Sequence, residues 1–291
     1  MKPAAFEYHR PESLGSALTL LAERADAKPL AGGQSLIPAM NFRLATPSVL
    51  VDLNRLSELA GISERGKMVR IGALTRHRAV ERDPIIRRRA PLLSETMPHI
   101  AHPQIRTRGT MGGSLAHADP AAELPAVMIA LDAGLVLQRA GGERRLGATD
   151  FFTGLFQTAL EPGELIVAVE VPFQADRTGA AFEEFSRRHG DYALVGVAVT
   201  VTLDEAGSCA GARIALLSVG EGPVLATRAM ERLRGSDLGA PAIESAAAVV
   251  AEDIEPPSDI HASQAYRRQL ARVLTGRALA RATLRARGGT A

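Results

Sequence analysis

Residues 107–125 have the sequence TRGTMGGSLAHADPAAELP, and residues 31–36 have the sequence AGGQSL. Both segments contain paired glycines, which let two backbones approach an anion with their N–H groups exposed and no side chain in the way. Ser35 and Ser114 add a hydroxyl donor just after each glycine pair. Neither segment matches the GxGxxG dinucleotide fingerprint or the GxxxxGK(S/T) loop of NTPases. Two such turns predict a site that holds one diphosphate between them.

Composition predicts a folded protein with two ordinary domains, because the chain has 291 residues of which 46% are hydrophobic. The 34 basic and 32 acidic residues leave a formal net charge of +2, so charge gives no reason to expect a nucleic-acid partner. The single cysteine, Cys209, excludes an internal disulfide and an iron–sulfur cluster held by this chain alone. The sequence contains no apolar signal segment and no apolar run of about 18 residues, which predicts a cytoplasmic protein without a membrane span.

Hydrophobic periodicity predicts the elements that carry the two glycine segments. Leu14, Leu18 and Leu21 have helical spacing, and residues 28–31 form a strand that runs into the first glycine pair. Further strands are predicted at 49–53, 68–72, 134–138, 143–147 and 164–171, and residues 85–101 should be largely helical. Asp119, Pro120 and Glu123 have the spacing of an N-cap, a first helical residue and a first-turn acid, so a helix should begin there.

A polar, turn-rich stretch from Pro172 to Gly179 is the predicted boundary between two domains. The first domain spans 1–175, with subdomains of about 1–55 and 56–175, and the second spans 180–287. The second domain has predicted strands near 181–187, 195–203 and 211–219, followed by helices near 225–234, 241–252 and 263–286. Strands followed by helices are typical of an α+β layer, so the predicted fold class is α+β.

The chain resembles a known family through an ordered series of motifs that covers nearly its whole length. These are AGGQSLIP at 31–38, an outline match at 69–75, RGTMGGSLAHADPAAELPA at 108–126, GELIVAVEVP at 163–172, RRHGDYALV at 187–195 and YRRQLARVLTGRAL at 266–279. The family is the FAD-binding medium subunit of molybdenum hydroxylases, which includes carbon monoxide dehydrogenase and the flavin portion of xanthine dehydrogenase. The resemblance implies a two-subdomain FAD-binding domain of the vanillyl-alcohol-oxidase-like (PCMH) type, followed by a C-terminal α+β domain of the CO dehydrogenase flavoprotein type.

The same resemblance implies which residues hold the cofactor. Residues 31–37 and 109–114 would wrap the FAD diphosphate and ribityl chain, chiefly with backbone N–H groups. Ile100, Ala101 and His117 would run along the cofactor, and Ile166 would contact its adenine side. The implied FAD-binding residues are Ala31, Gly32, Gly33, Gln34, Ser35, Leu36, Ile37, Ile100, Ala101, Gly109, Thr110, Gly112, Gly113, Ser114, His117, Asp119, Glu123, Ile166 and Tyr192.

Six of these residues also have an ordinary structural interpretation. Gly32, Gly33 and Ser35 could belong to an ordinary loop that needs a positive φ. Glu123 and Asp119 could serve the start of a helix as well as the cofactor. Tyr192 could pack at a domain interface instead of stacking on the flavin. Relatives often have a lysine just upstream, whereas this chain has Glu183-Glu184, so the resemblance does not extend to a cationic contact with the flavin.

Histidines and arginines suggest two other kinds of site. His99, His102 and His117 lack the carboxylate or cysteine that would complete a metal site, so no metal is expected. Residues 266–287 contain seven arginines and no acid, with Tyr266, Leu270, Val273 and Leu274 on one helical face. This segment could bind a partner or nucleic acid, but the favoured interpretation is a terminal helix docked by its apolar face, with solvated arginines.

No Ser/His/Asp arrangement, activated cysteine or acid pair suggests independent catalysis, so no side chain is predicted to be catalytic and Tyr192 is the flavin-adjacent candidate. The resemblance implies an oxidoreductase that works as a heterotrimer. A large partner subunit would hold a molybdenum cofactor and oxidise the substrate, and a small partner would carry two [2Fe–2S] centres. FAD on this chain would pass the electrons to an external acceptor, and the family suggests a dimer of heterotrimers.

Two other functions remain open from the sequence. A self-contained FAD oxidase would need a substrate pocket with a base, for which residues 180–291 are few and poor in aromatics. A non-enzymatic scaffold or nucleic-acid-binding module would use the arginine-rich end and bind with a steep salt dependence. The near-zero net charge and an aromatic content of 4% argue against that module, because recognition of single strands generally uses stacking rings.

Overall fold

The computed structural model describes residues 1–289 of the chain. In chain order its strands are β1 (Glu7–His9), β2 (Ala27–Leu30), β3 (Val49–Asp52), β4 (Ile62–Arg65), β5 (Met68–Gly72), β6 (Gly134–Arg139), β7 (Gly142–Gly147), β8 (Phe152–Gly154), β9 (Gln157–Thr158), β10 (Leu165–Pro172), β11 (Thr178–Ser186), β12 (Ala193–Leu203), β13 (Cys209–Leu217) and β14 (Val224–Leu225).

Helices connect and cover these strands within residues 1–289. They are α1 (Leu14–Glu23), α2 (Leu36–Asn41), α3 (His77–Arg82), α4 (Pro84–Arg89), α5 (Pro91–Thr96), α6 (Pro103–Arg106), α7 (Met111–His117), α8 (Glu123–Ala130), α9 (Ala148–Phe151), α10 (Thr227–Leu233), α11 (Ala240–Val249) and α12 (Gln264–Ala286). Short 3-10 turns lie at Ser57–Leu59, Met97–His99 and Val250–Glu252.

A small parallel sheet in the order β1-β3-β2 positions the first glycine segment. All four residues of β3 are buried, which explains its largely apolar sequence VLVD. α1 contributes Ala17, Leu18 and Leu21 to the core shared with this sheet. Leu30 of β2 pairs with Asp52 of β3, so the chain leaves β2 into the glycine segment beside the residues that follow β3.

The second sheet is antiparallel, in the order β4-β5-β10-β6-β7. β10 lies at its centre although it is the last of the five in the chain, and a bulge between Ile166 and Ala168 shifts its register against β6. Residues of β5 alternate between buried and partly exposed, as expected for a strand with one face in the core. α7 packs against β5 and β10, which places the second glycine segment on this sheet.

The third sheet, β11-β12-β13-β14, is antiparallel and lies between two helices. α12 covers one face, and a Cβ atom on Gly179 would lie 2.5 Å from the backbone nitrogen of Ala286, so a glycine is needed for this close approach. α8 packs against β12 and β13. Every residue of α8 is buried, and Phe182 and Leu217 of the third sheet share one apolar core with it.

Charged side chains hold α12 to the first half of the chain. Glu95 on α5 accepts a hydrogen bond from the backbone N–H of Phe182 at 3.0 Å and forms ion pairs with Arg281 at 2.6 Å and Arg285 at 2.5 Å. The expectation of solvated arginines is therefore wrong for these two, and it is wrong for Arg267, which is 4% exposed and pairs with Asp259 at 2.7 Å. Tyr266 and Val273 are exposed whereas Leu270 and Leu274 are buried, so the buried face of α12 differs from the predicted one.

The α+β fold class predicted from the sequence is confirmed, and the predicted strands lie where the periodicity placed them. Two differences concern proline. Pro91 opens a new helix, which divides the predicted helical stretch 85–101 into α4, α5 and a 3-10 turn. The helix predicted to begin at Asp119 begins at Glu123, because the carbonyl of Pro120 accepts the backbone N–H of Ser218 at 2.8 Å instead of joining a helix.

Candidate cofactor-binding site

The first glycine segment presents four consecutive backbone N–H groups without an acceptor. Gly32, Gly33, Gln34 and Ser35 donate these groups to no acceptor among residues 1–289. Gly32 is buried, and a buried donor left unpaired costs about 1–3 kcal/mol. Gly33 turns the chain with a φ of +72°, which favours glycine. The segment therefore has the donors that an anion such as a diphosphate requires.

The second glycine segment differs from the prediction that its backbone N–H groups are exposed. It forms the start of α7, where the Thr110 side chain accepts a hydrogen bond from the backbone N–H of Gly113 at 3.2 Å. The N–H groups of Met111 and Gly112 donate to carbonyl oxygens of the chain just after β5, at 3.1 and 2.8 Å. These groups are already used within the protein, so this part of the segment contributes shape rather than free donors.

Glycine is required at position 32 because the backbone of the second segment passes close to it. A Cβ atom on Gly32 would lie 3.0 Å from both the carbonyl carbon of Arg108 and the Cα of Gly109. On the other side, a Cβ atom on Gly113 would lie 3.7 Å from the Cβ of Ala31. The structure thus brings the two segments together in one place, as the sequence predicted for a shared site.

A chain of hydrogen bonds that the sequence did not predict ties the two segments to each other. Asn54 donates to the carbonyl of Ala31 at 2.9 Å and accepts from Arg76 at 2.6 Å. Arg76 also donates to the carbonyl of Arg108. Asp52 holds Asn54 by accepting its side-chain N–H at 2.5 Å. For Asp52 and Asn54 the available signal was their position at the end of a buried parallel strand, where ligand sites often form.

His77 supports the second segment as a neutral imidazole. Its Nε2 lies 2.9 Å from the carbonyl oxygen of Thr110, and its Nδ1 has no partner among the described residues. Burial lowers the pKa of His77 to about 4, and the charges of Arg106 and Arg76 add to this lowering. A Cβ atom on Gly109 would lie 2.9 Å from Nδ1. The ring therefore fills the space beside Gly109 without introducing a charge.

Arg106 fixes the segment that contains Ile100 and Ala101. Its buried guanidinium donates to their carbonyl oxygens at 3.0 and 3.1 Å and pairs with Glu81 at 2.9 Å. Ala101 has a φ of +45°, which is uncommon for a residue with a side chain and is held here by these bonds. Arg106 was missed from the sequence, because an arginine just before the second glycine segment has no distinctive pattern.

The loop 187–192 reaches this segment from the third sheet. Gly190 has a φ of +86°, and a Cβ atom there would lie 2.6 Å from Nδ1 of His102. Tyr192 follows with 69% of its surface exposed. Partial burial of its hydroxyl, followed by the charges of Asp119 and Glu123, raises the pKa of Tyr192. The structure thus places an exposed aromatic ring beside two acidic candidates from the other half of the chain.

Glu123 is buried at the start of α8. Burial raises the pKa of its carboxyl to about 7, and the negative charges of Glu184 and Asp119 act in the same direction while His99 opposes them. Asp119 does not cap α8, since its carboxylate accepts the backbone N–H of Ala121 at 2.9 Å in the turn before the helix. The sequence offered a helix-start role for both acids, and in the structure only Glu123 lies in the first turn of the helix.

Two other candidates are His117 and Ile166. The ring of His117 lies 5.2 Å from that of Phe156, and Ile166 lies at the bulge of β10 in the core beneath the second sheet. Within residues 1–289, no three His, Cys, Asp or Glu side chains are grouped as metal ligands. None of the helices in that range is long and apolar enough to cross a membrane.

Two family models match the chain. Residues 4–174 match the FAD binding domain in molybdopterin dehydrogenase, and residues 180–282 match the CO dehydrogenase flavoprotein C-terminal domain. The first match alone covers more than half of the chain.

Curated proteins match over nearly the full length. The chain is 48% identical to subunit alpha of the 6-hydroxypseudooxynicotine dehydrogenase complex of Paenarthrobacter nicotinovorans, covering 99% of this chain and 97% of that one. It is 41% identical to the carbon monoxide dehydrogenase medium chain of Afipia carboxidovorans, covering 99% of this chain and 100% of that one.

Among solved structures, carbon monoxide dehydrogenase from Hydrogenophaga pseudoflava superposes with a TM-score of 0.95 at 41% identity, covering 98% of this chain and 99% of that chain. Quinoline 2-oxidoreductase from Pseudomonas putida superposes with a TM-score of 0.93 at 42% identity, with the same coverage. These full-length matches support neither the self-contained oxidase nor the scaffold interpretation. The chain belongs to the family of FAD-binding medium subunits of molybdenum hydroxylases.

Proposed function

We propose that FAD binds where the two glycine segments meet, with its diphosphate on the N–H groups of residues 32–35. The observation that carries this proposal is the row of four unpaired donors, beginning at the buried residue Gly32, beside a second backbone at close range. Hydrogen bonds from N–H groups to a charged acceptor are stronger than bonds between neutral groups. The segment therefore binds a diphosphate without a lysine or arginine in direct contact.

The remaining candidates then orient the cofactor. Glu123 accepts a hydrogen bond from a hydroxyl of the ribityl chain, and Tyr192 stacks on the flavin. Ile100, Ala101 and His117 line the cofactor, and Ile166 faces the adenine side. Support for these contacts comes from the family motifs together with the grouping of Glu123 and Tyr192 at one boundary.

When bound, FAD supplies a redox carrier that can accept electrons singly and release them as a pair. Electrons pass from two [2Fe–2S] centres on a small partner subunit, through this site, to an external acceptor. A large partner subunit holds the molybdenum cofactor and selects the substrate. The residues of this chain bind and orient FAD, and none of them is proposed to be catalytic.

The assembly proposed for the chain is a dimer of heterotrimers in the cytoplasm. Relatives named as medium chains and as a complex subunit support partner subunits. Within the chain, we propose a division into an FAD-binding domain at 1–175 and a C-terminal domain at 180–287, since β10 ends at Pro172 and β11 begins at Thr178. Size-exclusion chromatography with light scattering tests the stoichiometry, and cell fractionation tests the location.

Purification of the chain with its co-expressed partners tests the function. We expect flavin and iron–sulfur absorption in the visible spectrum and about one FAD released per copy of this chain. A colourless isolated chain that gains FAD only with its partners agrees with the proposal. A complex that contains both partners but binds no added FAD contradicts it.

A further inference from the structure

A partly buried cluster of protonatable groups, in which 34% of the His99 side chain is exposed, lies where β11 meets the first half of the chain. Nδ1 of His99 is 3.3 Å from Oε1 of Glu184, whose side chain is 5% exposed. The second carboxylate oxygen of Glu184 is buried and has no hydrogen-bond partner among the described residues. The buried carboxyl of Glu123 lies within electrostatic range of both. His99, Glu123 and Glu184 are called the proton cluster below.

Acidic groups outnumber free basic groups around the proton cluster. Asp119 lies near Glu123, Glu95 on α5 lies near His99, and the hydroxyl of Tyr192 faces Asp119 and Glu123. The neighbouring cations already have partners, since Arg281 pairs with Glu95 and Glu183, Arg285 pairs with Glu95, and Arg106 pairs with Glu81. His99 is therefore the cation of the cluster itself, and its ring contacts Phe182 edge-on at 5.1 Å.

This arrangement makes the number of bound protons sensitive to nearby charge. A buried carboxylate oxygen without a partner is costly, so Glu184 is stabilised when a proton is added nearby. The hydrogen bond to Glu184 raises the pKa of His99, and burial raises the pKa of Glu123 to about 7. Because the groups interact, their protons belong to the cluster as a unit.

The cluster also adjoins the residues proposed to hold the flavin. His99 immediately precedes Ile100 and Ala101. Glu123 is itself a proposed cofactor contact and lies near Tyr192. A negative charge that arises on the cofactor would therefore act on the cluster at short range and favour its protonated form.

We propose that the proton cluster takes up one proton from solvent when FAD bound at this site accepts a pair of electrons. The inference rests on the proposed function. The two electrons come from the [2Fe–2S] centres of the partner subunit. One solvent proton forms an N–H bond on the flavin, which leaves one net negative charge on the ring system. A second solvent proton forms an O–H or N–H bond within the cluster and offsets that charge.

The midpoint potential of FAD in the purified complex tests this uptake between about pH 7.5 and 8.5. Each proton taken up with an electron pair changes the potential by about 30 mV per pH unit. In the wild type we expect the potential to change by about 60 mV per pH unit, which is a two-proton slope. In Glu184→Gln, whose amide can still accept a hydrogen bond from His99, we expect about 30 mV per pH unit, which is a one-proton slope. Glu183→Gln is the matched control, because it removes the adjacent carboxylate on β11, which pairs with Arg281, and it should keep the wild-type slope.

The possible outcomes separate the inference from the proposed function. A complex without FAD overturns both. A complex with FAD and a one-proton slope in the wild type overturns the inference alone, and so do equal slopes in the wild type and Glu184→Gln. If Glu184→Gln does not retain FAD, His99→Gln decides. Because the charge of His99 lowers the pKa of Glu123, its removal should let Glu123 keep its proton in both redox states and give a one-proton slope. A two-proton slope in that variant overturns the inference.

Discussion

Replacing Gly32 with alanine should push the two glycine segments apart and weaken FAD binding. The added methyl carbon would stand 3.0 Å from two backbone carbons, those of Arg108 and Gly109. Carbon atoms in favourable contact lie about 3.5–4.0 Å apart, so the backbones must separate by about 0.5–1 Å. Neither neighbour can turn aside as a side chain would, and Arg76 holds the Arg108 carbonyl in place.

The separation should disturb the N–H groups proposed to hold the diphosphate. A hydrogen bond to a charged acceptor contributes about 1.5–3 kcal/mol, and 1.4 kcal/mol corresponds to about a tenfold change in affinity. Losing one such bond should therefore raise the Kd of FAD by about 10- to 100-fold. Titration of FAD into the cofactor-depleted complex, followed by flavin fluorescence, measures this change.

Gly15→Ala is the matched control for Gly32→Ala. Gly15 lies in α1, and no atom lies within 4 Å of the position that a Cβ would take. Alanine there should stabilise the protein by roughly 0.5–1 kcal/mol and leave the Kd of FAD unchanged. If Gly32→Ala is folded and binds FAD with the wild-type Kd, the close approach of the segments does not control binding and the reasoning is refuted.

Three further substitutions test the supports of the site. Gly190 has a φ of +86°, and a Cβ atom there would lie 2.6 Å from Nδ1 of His102. Gly190→Ala should therefore displace the loop that contains Tyr192 and increase the fluorescence of bound flavin. Unchanged fluorescence would count against stacking of Tyr192 on the flavin. Glu95→Gln weakens two ion pairs with α12 and should lower the free energy of unfolding, measured in urea, by about 2 kcal/mol. Its control is Glu12→Gln, which weakens an exposed ion pair with Arg55 and should change the free energy of unfolding by less than about 1 kcal/mol. Equal effects of the two substitutions would refute this prediction. Because the pKa of His77 is lowered to about 4, the unfolded chain binds more protons than the folded chain between about pH 6.5 and 4. Acid should therefore remove on the order of 3 kcal/mol of stability across that range in the wild type but not in His77→Gln, as measured by urea unfolding at both ends of it.

Local patterns were sufficient to predict the elements that surround the site. The helical spacing of Leu14, Leu18 and Leu21 depends on residues within two turns of one helix, and all three help to form α1 in the structure. Strand alternation at 68–72 is equally local. Both glycine segments could also be recognised in the sequence, because paired glycines have few uses other than unusual turns and close backbone approaches.

Only the tertiary structure showed why each glycine is needed. Gly33 has a positive φ, which is a property of the local backbone. Gly32 and Gly112 lack one, and they are needed because Arg108 and Ala73 pass close to them. The sequence of a segment cannot show which distant backbone will lie beside it, so the turn interpretation and the contact interpretation of a glycine could not be separated beforehand.

The sequence gives the positions of the charged residues, but it does not give their partners. The sequence alone determined that α12 is rich in arginine and that Glu183-Glu184 stands just upstream of Tyr192. The partners of those charges lie far along the chain, since Glu95 meets Arg281 and Glu184 meets His99. Hydrogen bonds, ion pairs and the burial that shifts a pKa act over a few ångströms of space, and only the folded chain determines which distant residues come that close.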